Sequence, residues 1–87
     1  MKHLTLDSFW QEFDTLPESV QSKARKCFIL LKTNVRHPSL HFKKIKVGNE
    51  VWSVRIDQDY RALAFEDEDK MVWFWIGKHA VYDKKLK

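Results

Sequence analysis

The pattern of apolar and polar positions is most regular between residues 51 and 76. Three runs rich in β-branched and aromatic residues, 51–56, 60–65 and 71–76, are separated by short polar links. Runs of this length and composition are typical of β-strands, and short polar links are typical of hairpin turns. The pattern therefore predicts an antiparallel meander of three strands. The third run is apolar at every position, which predicts a strand in the interior of the sheet.

Alternation along these strands assigns residues to the two faces of the sheet, because successive side chains point in opposite directions. On the first strand Ser53 and Arg55 share a face. On the second strand, Arg61 points to one face, and Ala62 and Ala64 point to the other. Because the two alanines are small, they predict a face that a helix approaches closely. A charge on a buried sheet surface is costly unless it is paired or hydrated. Arg55 and Arg61 are therefore expected on an open face.

Two segments that precede the strands have apolar residues at helical spacing. The first covers residues 7–16, and its N-cap is predicted at Asp7 or Thr5. The second begins at residues 15–18, where a threonine followed three residues later by a glutamate forms a capping-box pattern. It is predicted to end at Thr33–Asn34, because asparagine suits a left-handed C-terminal position. The short link between the two segments predicts a helical hairpin on one face of the sheet.

The remaining segments predict smaller elements. Residues 2–6 alternate, which predicts either a short edge strand or a lead into the first helix. Residues 42–47 predict a strand that feeds the meander through a turn at Gly48–Asn49. The tail after His79 predicts a short helical turn. The expected fold is α+β, a single domain over residues 1–87 in which the N-terminal helical hairpin packs on a small, mainly antiparallel sheet of three to four strands.

Composition narrows the setting in which the protein works. A length of 87 residues predicts one domain, and a net charge of +4 with a pI near 9.3 permits a polyanionic partner without requiring one. Cys27 is the only cysteine, so no intrachain disulfide forms, and its apolar neighbours predict a buried thiol. There is no apolar run of about 18 residues and no signal-peptide pattern, so a soluble, cytoplasmic protein is expected.

Several kinds of chemistry find no support in the sequence. His37 and His41 are four residues apart, but Pro38 between them disfavours the helix that would bring them together, so no metal site is predicted. The chain contains two glycines and no glycine-rich phosphate loop, and it lacks a serine-nucleophile motif. No cofactor is therefore expected.

A basic surface with one histidine–tyrosine pair remains. Arg55, Arg61, His79 and Tyr82 lie on the meander or just past it. Such residues suit metal-free RNA cleavage, because histidine titrates near neutrality and transfers protons while arginine holds the phosphate. The same residues are also consistent with a structural histidine at a strand end and an ordinary solvated basic face.

The order and spacing of several motifs resemble the RelE/ParE superfamily of type II toxin–antitoxin toxins. The matching segments span nearly the whole chain: 16–21, 34–38, 42–44, 52–56, 59–63, 75–79 and Tyr82. The resemblance implies a RelE-like fold. It also implies a metal-independent endoribonuclease that cleaves mRNA at the ribosomal A site, inhibits translation and is held inactive by a cognate antitoxin.

The resemblance also implies roles for individual residues. Arg61 matches the strand arginine that stabilises the transition-state phosphate, and Arg55 matches a basic residue that contacts the scissile region. His79 stands where relatives carry arginine or histidine, and it is the best candidate for the general base. Tyr82 falls near a tyrosine that orients or stacks on the RNA. The implied RNA-binding residues are Lys43, Lys44, Lys46, Ser53 and Lys78.

Two other functions share the same fold. One branch of the superfamily inhibits DNA gyrase and cleaves nothing, and fold alone does not settle function. An inert module that binds only an antitoxin or RNA is the third hypothesis. Ser53 stands where some family ribonucleases have a lysine, and the sequence offers no obvious carboxylate base.

Overall fold

The computed structural model describes residues 2–45 and 50–85, apart from the side chains of Tyr82 and Lys85. Within these ranges three α-helices and a short 3₁₀ helix accompany one sheet. The helices are α1 (Asp7–Phe13), α2 (Glu18–Thr33), the 3₁₀ helix Pro38–Leu40 and α3 (His79–Lys85). The strands are β1 (Lys2–Thr5), β2 (Lys43–Lys44), β3 (Val51–Arg55), β4 (Tyr60–Asp67) and β5 (Lys70–Lys78).

The predicted α+β architecture and the antiparallel meander are confirmed. The strand order is β1-β5-β4-β3-β2, so β5 lies in the interior of the sheet, as its apolar sequence predicts. β3 pairs with β4 and β4 with β5, both antiparallel. A bulge at Leu63–Ala64 shifts the register of β4 against β5. The tail after the meander forms α3, which confirms the predicted C-terminal helical turn.

The predicted number of strands is too low. The described residues form five strands rather than three to four, because residues 2–5 pair with β5 in parallel. Lys2 aligns with Lys70 and Thr5 with Trp73. The pairing of β1 with a strand far along the chain cannot be predicted from the alternation of residues 2–6 alone. Three of the four β1 residues are also exposed, so they show no buried face. The alternation of residues 2–6 was therefore consistent with both a strand and a lead into the helix.

The hydrophobic core lies between the helical hairpin and one face of the sheet. Ala62 and Ala64 are fully buried there, so the prediction that their face of the sheet is covered is confirmed. Phe9 and Trp73 fill the space above them and are 1 % and 0 % exposed. Each fully buried side chain of this size stabilises the fold by about 1.5–3 kcal/mol. Cys27 is buried in the same core, as predicted.

The helix ends differ from the predicted capping pattern. α1 begins after Leu6, and α2 begins after Pro17, and neither N-cap makes a side-chain hydrogen bond. Thr15 Oγ1 instead donates to the carbonyl of Glu12, so the capping-box prediction is wrong. The predicted end of α2 at Thr33 is confirmed, but Asn34 has φ −154°, which is extended rather than left-handed. Packing of the apolar faces therefore fixes these helices without side-chain caps.

The segment before the meander is only partly described. β2 comprises Lys43 and Lys44, which pair with Ser53 and Trp52. The rest of the predicted strand, Lys46–Val47, and the predicted turn at Gly48–Asn49 lie outside the described residues. No helix in residues 2–45 and 50–85 is long and apolar enough to cross a membrane.

Candidate functional site

Basic side chains gather on the sheet face that turns away from the helices. In one row across the strands Lys43 aligns with Ser53, Ser53 with Leu63, and Leu63 with Trp75. In the next row Arg55 aligns with Arg61 and Arg61 with Gly77. Aligned residues share a face. We call this surface, defined by Lys43, Ser53, Arg55, Arg61, Leu63, Trp75 and Gly77, the open face.

The members of the open face differ in how far they reach solvent. Lys43 is exposed, whereas Arg55 and Arg61 are half-buried. Ser53 is 2 % exposed and Leu63 is 1 % exposed, so they offer little surface to a ligand. The accessible polar groups of this face are therefore cationic, which suits an anion such as a phosphodiester backbone.

The guanidinium of Arg61 is fixed by the turn between β3 and β4. Its Nη1 donates to the backbone carbonyls of Asp57 at 2.6 Å, Tyr60 at 2.9 Å and Gln58 at 3.4 Å. Within residues 2–45 and 50–85, its Nε and Nη2 have no protein acceptor, and no carboxylate pairs with Arg55 or Arg61. Arg61 therefore has no carboxylate partner among these residues and keeps unused N–H donors in one fixed orientation.

This turn, residues 57–60, is built around the side chain of Asp57. Asp57 Oδ1 accepts from the backbone N–H of Asp59 at 2.8 Å and of Tyr60 at 3.0 Å. Its Oδ2 lies 3.3 Å from Lys23 Nζ on α2. An aspartate that satisfies backbone donors two and three residues later is a strong turn former. The sequence Asp57-Gln58-Asp59 thereby sets the turn that carries the carbonyls bound by Arg61.

His79 adjoins the same turn from the other side. Its backbone N–H donates to the carbonyl of Asp59 at 2.7 Å, where β5 passes into α3. Its imidazole Nε2 lies 3.4 Å from Asp83 Oδ1, one helical turn later. The two side chains border a cleft of about 480 Å³ that is also lined by Gln58, Tyr60 and Lys78. The structure therefore brings Arg61 and His79 to opposite sides of one turn.

Asp83 is a candidate site residue that the sequence analysis missed. The sequence analysis found no obvious carboxylate base. The signal was present, because a helical tail places His79 and Asp83, four residues apart, on one face. A carboxylate beside an imidazole can hold the ring in one orientation.

Other predicted site residues lie apart from the open face. Lys44 aligns with Trp52, and Lys78 aligns with Tyr60, so alternation places both on the side opposite Arg61. Lys78 nevertheless lines the cleft beside His79. Tyr82 lies in α3, but its side chain is outside the description, as is the whole of Lys46.

Metal chemistry has no geometric basis in the described part of the chain. Among these residues, no three His, Cys, Asp or Glu side chains are close enough together to hold a metal ion. His37 Nδ1 accepts from the backbone N–H of Ser39 and so caps the 3₁₀ helix.

The Cys27 thiol points to the Arg55 carbonyl at 3.4 Å, and burial raises the pKa of this thiol to about 12. Such a thiol stays protonated near neutral pH and is a poor nucleophile.

The fold is similar to those of several bacterial and archaeal toxins. It superposes on RelE in the RelB–RelE antitoxin–toxin complex of Methanococcus jannaschii with a TM-score of 0.75 and 16 % identity, covering 93 % of this chain and 96 % of that one. It superposes on the E. coli DinJ–YafQ complex with a TM-score of 0.74, 12 % identity and coverages of 92 % and 94 %. It superposes on a YoeB/ParE toxin of Agrobacterium tumefaciens with a TM-score of 0.69 and 15 % identity, covering 91 % of this chain and 99 % of that one. These similarities establish the fold of the RelE/ParE class of toxins.

A sequence comparison gives the family. The model of the ParE-like toxin domain matches residues 18–84, which include α2, the meander and nearly all of α3. The chain therefore belongs to the ParE-like toxin domain family, within the RelE/ParE superfamily. A comparison with curated protein sequences finds no match.

Proposed function

We propose that this chain is the toxin of a type II toxin–antitoxin system and that it acts as a metal-independent endoribonuclease on mRNA in the ribosomal A site. The observation that supports the proposal is that the 57–60 turn bonds to Arg61 on one side and to the backbone of His79 on the other, with Asp83 beside the imidazole and the cationic open face nearby. RNA cleavage without a metal requires at least a cation that binds the phosphate and a group that takes the 2′-proton.

The chemistry assigns one task to each group. His79 takes the proton of the ribose 2′-hydroxyl, and the 2′-oxygen forms a bond to phosphorus. The bond from phosphorus to the 5′-oxygen breaks, and that oxygen takes a proton from solvent. Asp83 holds the imidazole ring and stabilises the imidazolium that forms. The unused N–H donors of Arg61, together with Arg55, stabilise the additional negative charge on phosphorus.

The rest of the basic surface positions the RNA. Lys43, next to Ser53 on the open face, contacts the backbone near the cleavage site, and Lys44 and Lys46 contact ribosomal RNA phosphates. Lys78 binds from the cleft side, and Tyr82 stacks on or orients the nucleotide. Phosphate contacts release counterions, so binding through these residues weakens steeply with salt concentration.

A cognate antitoxin is the proposed protein partner. Two structurally similar toxins, RelE of M. jannaschii and YafQ of E. coli, are present in complexes with RelB and DinJ respectively. An antitoxin segment that crosses the open face and continues over the 57–60 turn would cover Arg55, Arg61 and His79 and neutralise the charge of the two arginines.

A groove on the other side of the molecule is a second contact for the antitoxin. It has a volume of about 410 Å³, lies between β1, α1 and α2, and has Trp73 at its floor. Trp10 and Ile29 at its border are 44 % and 65 % exposed, and the cations of Arg25 and Lys32 flank them. None of the described residues that line it is acidic. This combination suits an amphipathic, acidic segment with an apolar anchor.

Inhibition of DNA gyrase is the second candidate function. The observation that favours it is the family itself, whose model is that of a ParE-like toxin domain. A gyrase inhibitor needs the fold and a binding surface, but it needs neither an imidazole base nor a phosphate clamp.

One experiment separates these functions. The protein is induced in cells while mRNA 5′ ends, translation and DNA supercoiling are measured together. Cuts in phase with codons and a loss of translation support the endoribonuclease, and Arg61→Ala abolishes them while Arg36→Ala, an exposed arginine outside the site, does not. Changed supercoiling with intact mRNA supports gyrase inhibition. Unaffected growth supports an inert binding module and contradicts both activities.

A further inference from the structure

We propose that Asp57 is a positioning residue that sets the geometry of both Arg61 and His79, although it touches neither the substrate nor a reacting atom. The proposal rests on the endoribonuclease function and adds a residue that the sequence motifs did not single out. It stands on a chain of hydrogen bonds that begins at one carboxylate and ends at the two groups to which the chemistry is assigned.

The first link is between the Asp57 carboxylate and the backbone of its own turn. Oδ1 accepts from two N–H groups, those of Asp59 at 2.8 Å and Tyr60 at 3.0 Å. The chain returns through Ile56, whose N–H donates to the Tyr60 carbonyl at 3.1 Å. These bonds fix the direction of each peptide plane in the turn, and hence the direction of its carbonyl groups.

The second link runs from those carbonyls to the site. Arg61 Nη1 donates to the carbonyls of Asp57, Gln58 and Tyr60, so three acceptors on the turn define where the guanidinium lies. The Asp59 carbonyl accepts from the N–H of His79 at 2.7 Å and holds the first residue of α3. A rotated turn would therefore move the phosphate clamp and the base together.

The ion pair with Lys23 is the weaker part of the arrangement. Lys23 Nζ lies 3.3 Å from Asp57 Oδ2, and the two side chains are 56 % and 22 % exposed. Exposed ion pairs contribute little, whereas two backbone donors left without an acceptor loosen a turn directly. Hydrogen-bond acceptance by Oδ1, rather than the negative charge, is therefore the property that positions the site.

This distinction gives a sharp set of variants. Asp57→Asn keeps the Oδ1 acceptor and removes the charge, Asp57→Ser supplies a shorter and weaker acceptor, and Asp57→Ala supplies none. Lys23→Ala removes only the ion pair. Asp67→Ala, an exposed aspartate in the β4–β5 hairpin, is the matched control for the loss of one carboxylate.

The test measures single-turnover cleavage of mRNA on programmed ribosomes together with ribosome affinity. A misplaced catalytic group costs on the order of 10²-fold in rate, and this loss is expected for Asp57→Ala with affinity unchanged. Asp57→Asn, Lys23→Ala and Asp67→Ala should stay close to the native rate, and Asp57→Ser should fall between. Equal losses for Asp57→Asn and Asp57→Ala, or no loss in either, overturn the proposal. If Asp57→Ala does not fold, the order of native protein, Asp57→Asn and Asp57→Ser decides it.

A second readout does not depend on cleavage. Amide hydrogen exchange at Tyr60 and His79 reports on two hydrogen bonds: the one from the Tyr60 N–H to Asp57 Oδ1, and the one from the His79 N–H to the Asp59 carbonyl. Exchange should be faster in Asp57→Ser than in the native protein and unchanged in Asp57→Asn. If the native protein cleaves no RNA, the proposed function fails, whereas unchanged exchange in Asp57→Ser shows that Asp57 does not set the turn.

Discussion

At the scale of single residues, Arg61 combines a structural contact with groups available to a ligand. One nitrogen is used on the 57–60 turn, and the remaining N–H donors are the ones that the proposed mechanism assigns to the phosphate. His79 was predicted from the sequence through the motif at residues 75–79. Asp83 was missed, although the predicted helical turn after residue 79 already placed the two side chains four residues apart on one face.

Replacement of His79 tests its role as the base. His79→Ala should lower the cleavage rate by about 10²–10⁴-fold, the usual contribution of a positioned acid or base. Asp83→Asn should have a smaller effect, because it leaves the imidazole in place and removes only the charge that stabilises its protonated form. Single-turnover cleavage on programmed ribosomes measures both. His37→Ala, outside the site, is the control, and a His79→Ala protein that cuts at the native rate would show that another group is the base.

A second residue-scale prediction concerns stability against pH. Burial, and then the positive charge of Lys32, lower the pKa of His3 from its usual 6.5. The neutral ring accepts a hydrogen bond from Trp73 Nε1 at 3.1 Å. Because the folded state binds this proton less readily than the unfolded state, its contribution to stability is complete above pH 6.5 and falls as the pH drops toward the lowered pKa.

The measurement compares the free energy of unfolding in urea at several pH values for the native chain and for His3→Gln. Between pH 7 and pH 5 the native chain should lose more stability than the variant, which cannot titrate at this position. Parallel curves would mean that His3 has the same pKa in both states.

At the scale of elements, the meander was predicted almost completely, whereas the parallel pairing of the edge strand β1 was not. Runs of β-branched and aromatic residues predicted β3, β4 and β5. The alternation along β4 correctly assigned Ala62 and Ala64 to the core. The parallel pairing of β1 with β5 depends on residues far apart in sequence. The helix caps failed as predictions because packing, rather than the local side-chain oxygen of Thr15, determines where the helices begin.

Gly77 lies on β5 and aligns with Arg61 on the open face. A Cβ at this position would lie 2.5 Å from Cζ2 of Trp75, so the indole ring occupies the space that a side chain would need. Gly77→Ala should therefore destabilise the protein by about 1–3 kcal/mol, the usual cost of overpacking. Urea unfolding measures the change. In a protein that already carries Trp75→Phe, adding Gly77→Ala should cost less free energy of unfolding than it does in the native protein. If Gly77→Ala alone is as stable as the native protein, the indole ring moves aside without cost.

At the scale of the whole molecule, two surfaces divide the proposed functions. The open face and the cleft beside His79 carry the groups to which the proposed mechanism assigns phosphate binding and proton transfer. The groove between β1, α1 and α2 carries the exposed apolar side chains. The sequence predicted the first surface from its arginines, but the groove assembles from three elements and has no signature in any one of them.

The groove predicts a variant that separates toxicity from neutralisation. Ile29→Glu places a like charge against the acidic partner at a position that is 65 % exposed, so the fold should tolerate it. The cognate antitoxin should bind this variant at least tenfold more weakly, since a buried or repelled charge costs more than the 1.4 kcal/mol that a factor of ten represents. Toxicity without antitoxin should stay unchanged. Ser19→Glu, at an exposed position near the start of α2 and outside the groove, is the control, and equal affinity of both variants would exclude the groove from the interface.

The central claim is that an imidazole and a guanidinium held by one turn cut RNA without a metal. The most direct test adds the purified protein, freed of bound metal by earlier treatment with a chelator, to ribosomes programmed with a defined mRNA in their usual Mg²⁺ buffer, and maps the 5′ ends. We expect one cut within the A-site codon, which is lost in His79→Ala and Arg61→Ala and retained in Arg36→Ala. Intact mRNA at saturating protein, or an equal cut by the His79→Ala and Arg61→Ala variants, would contradict the account.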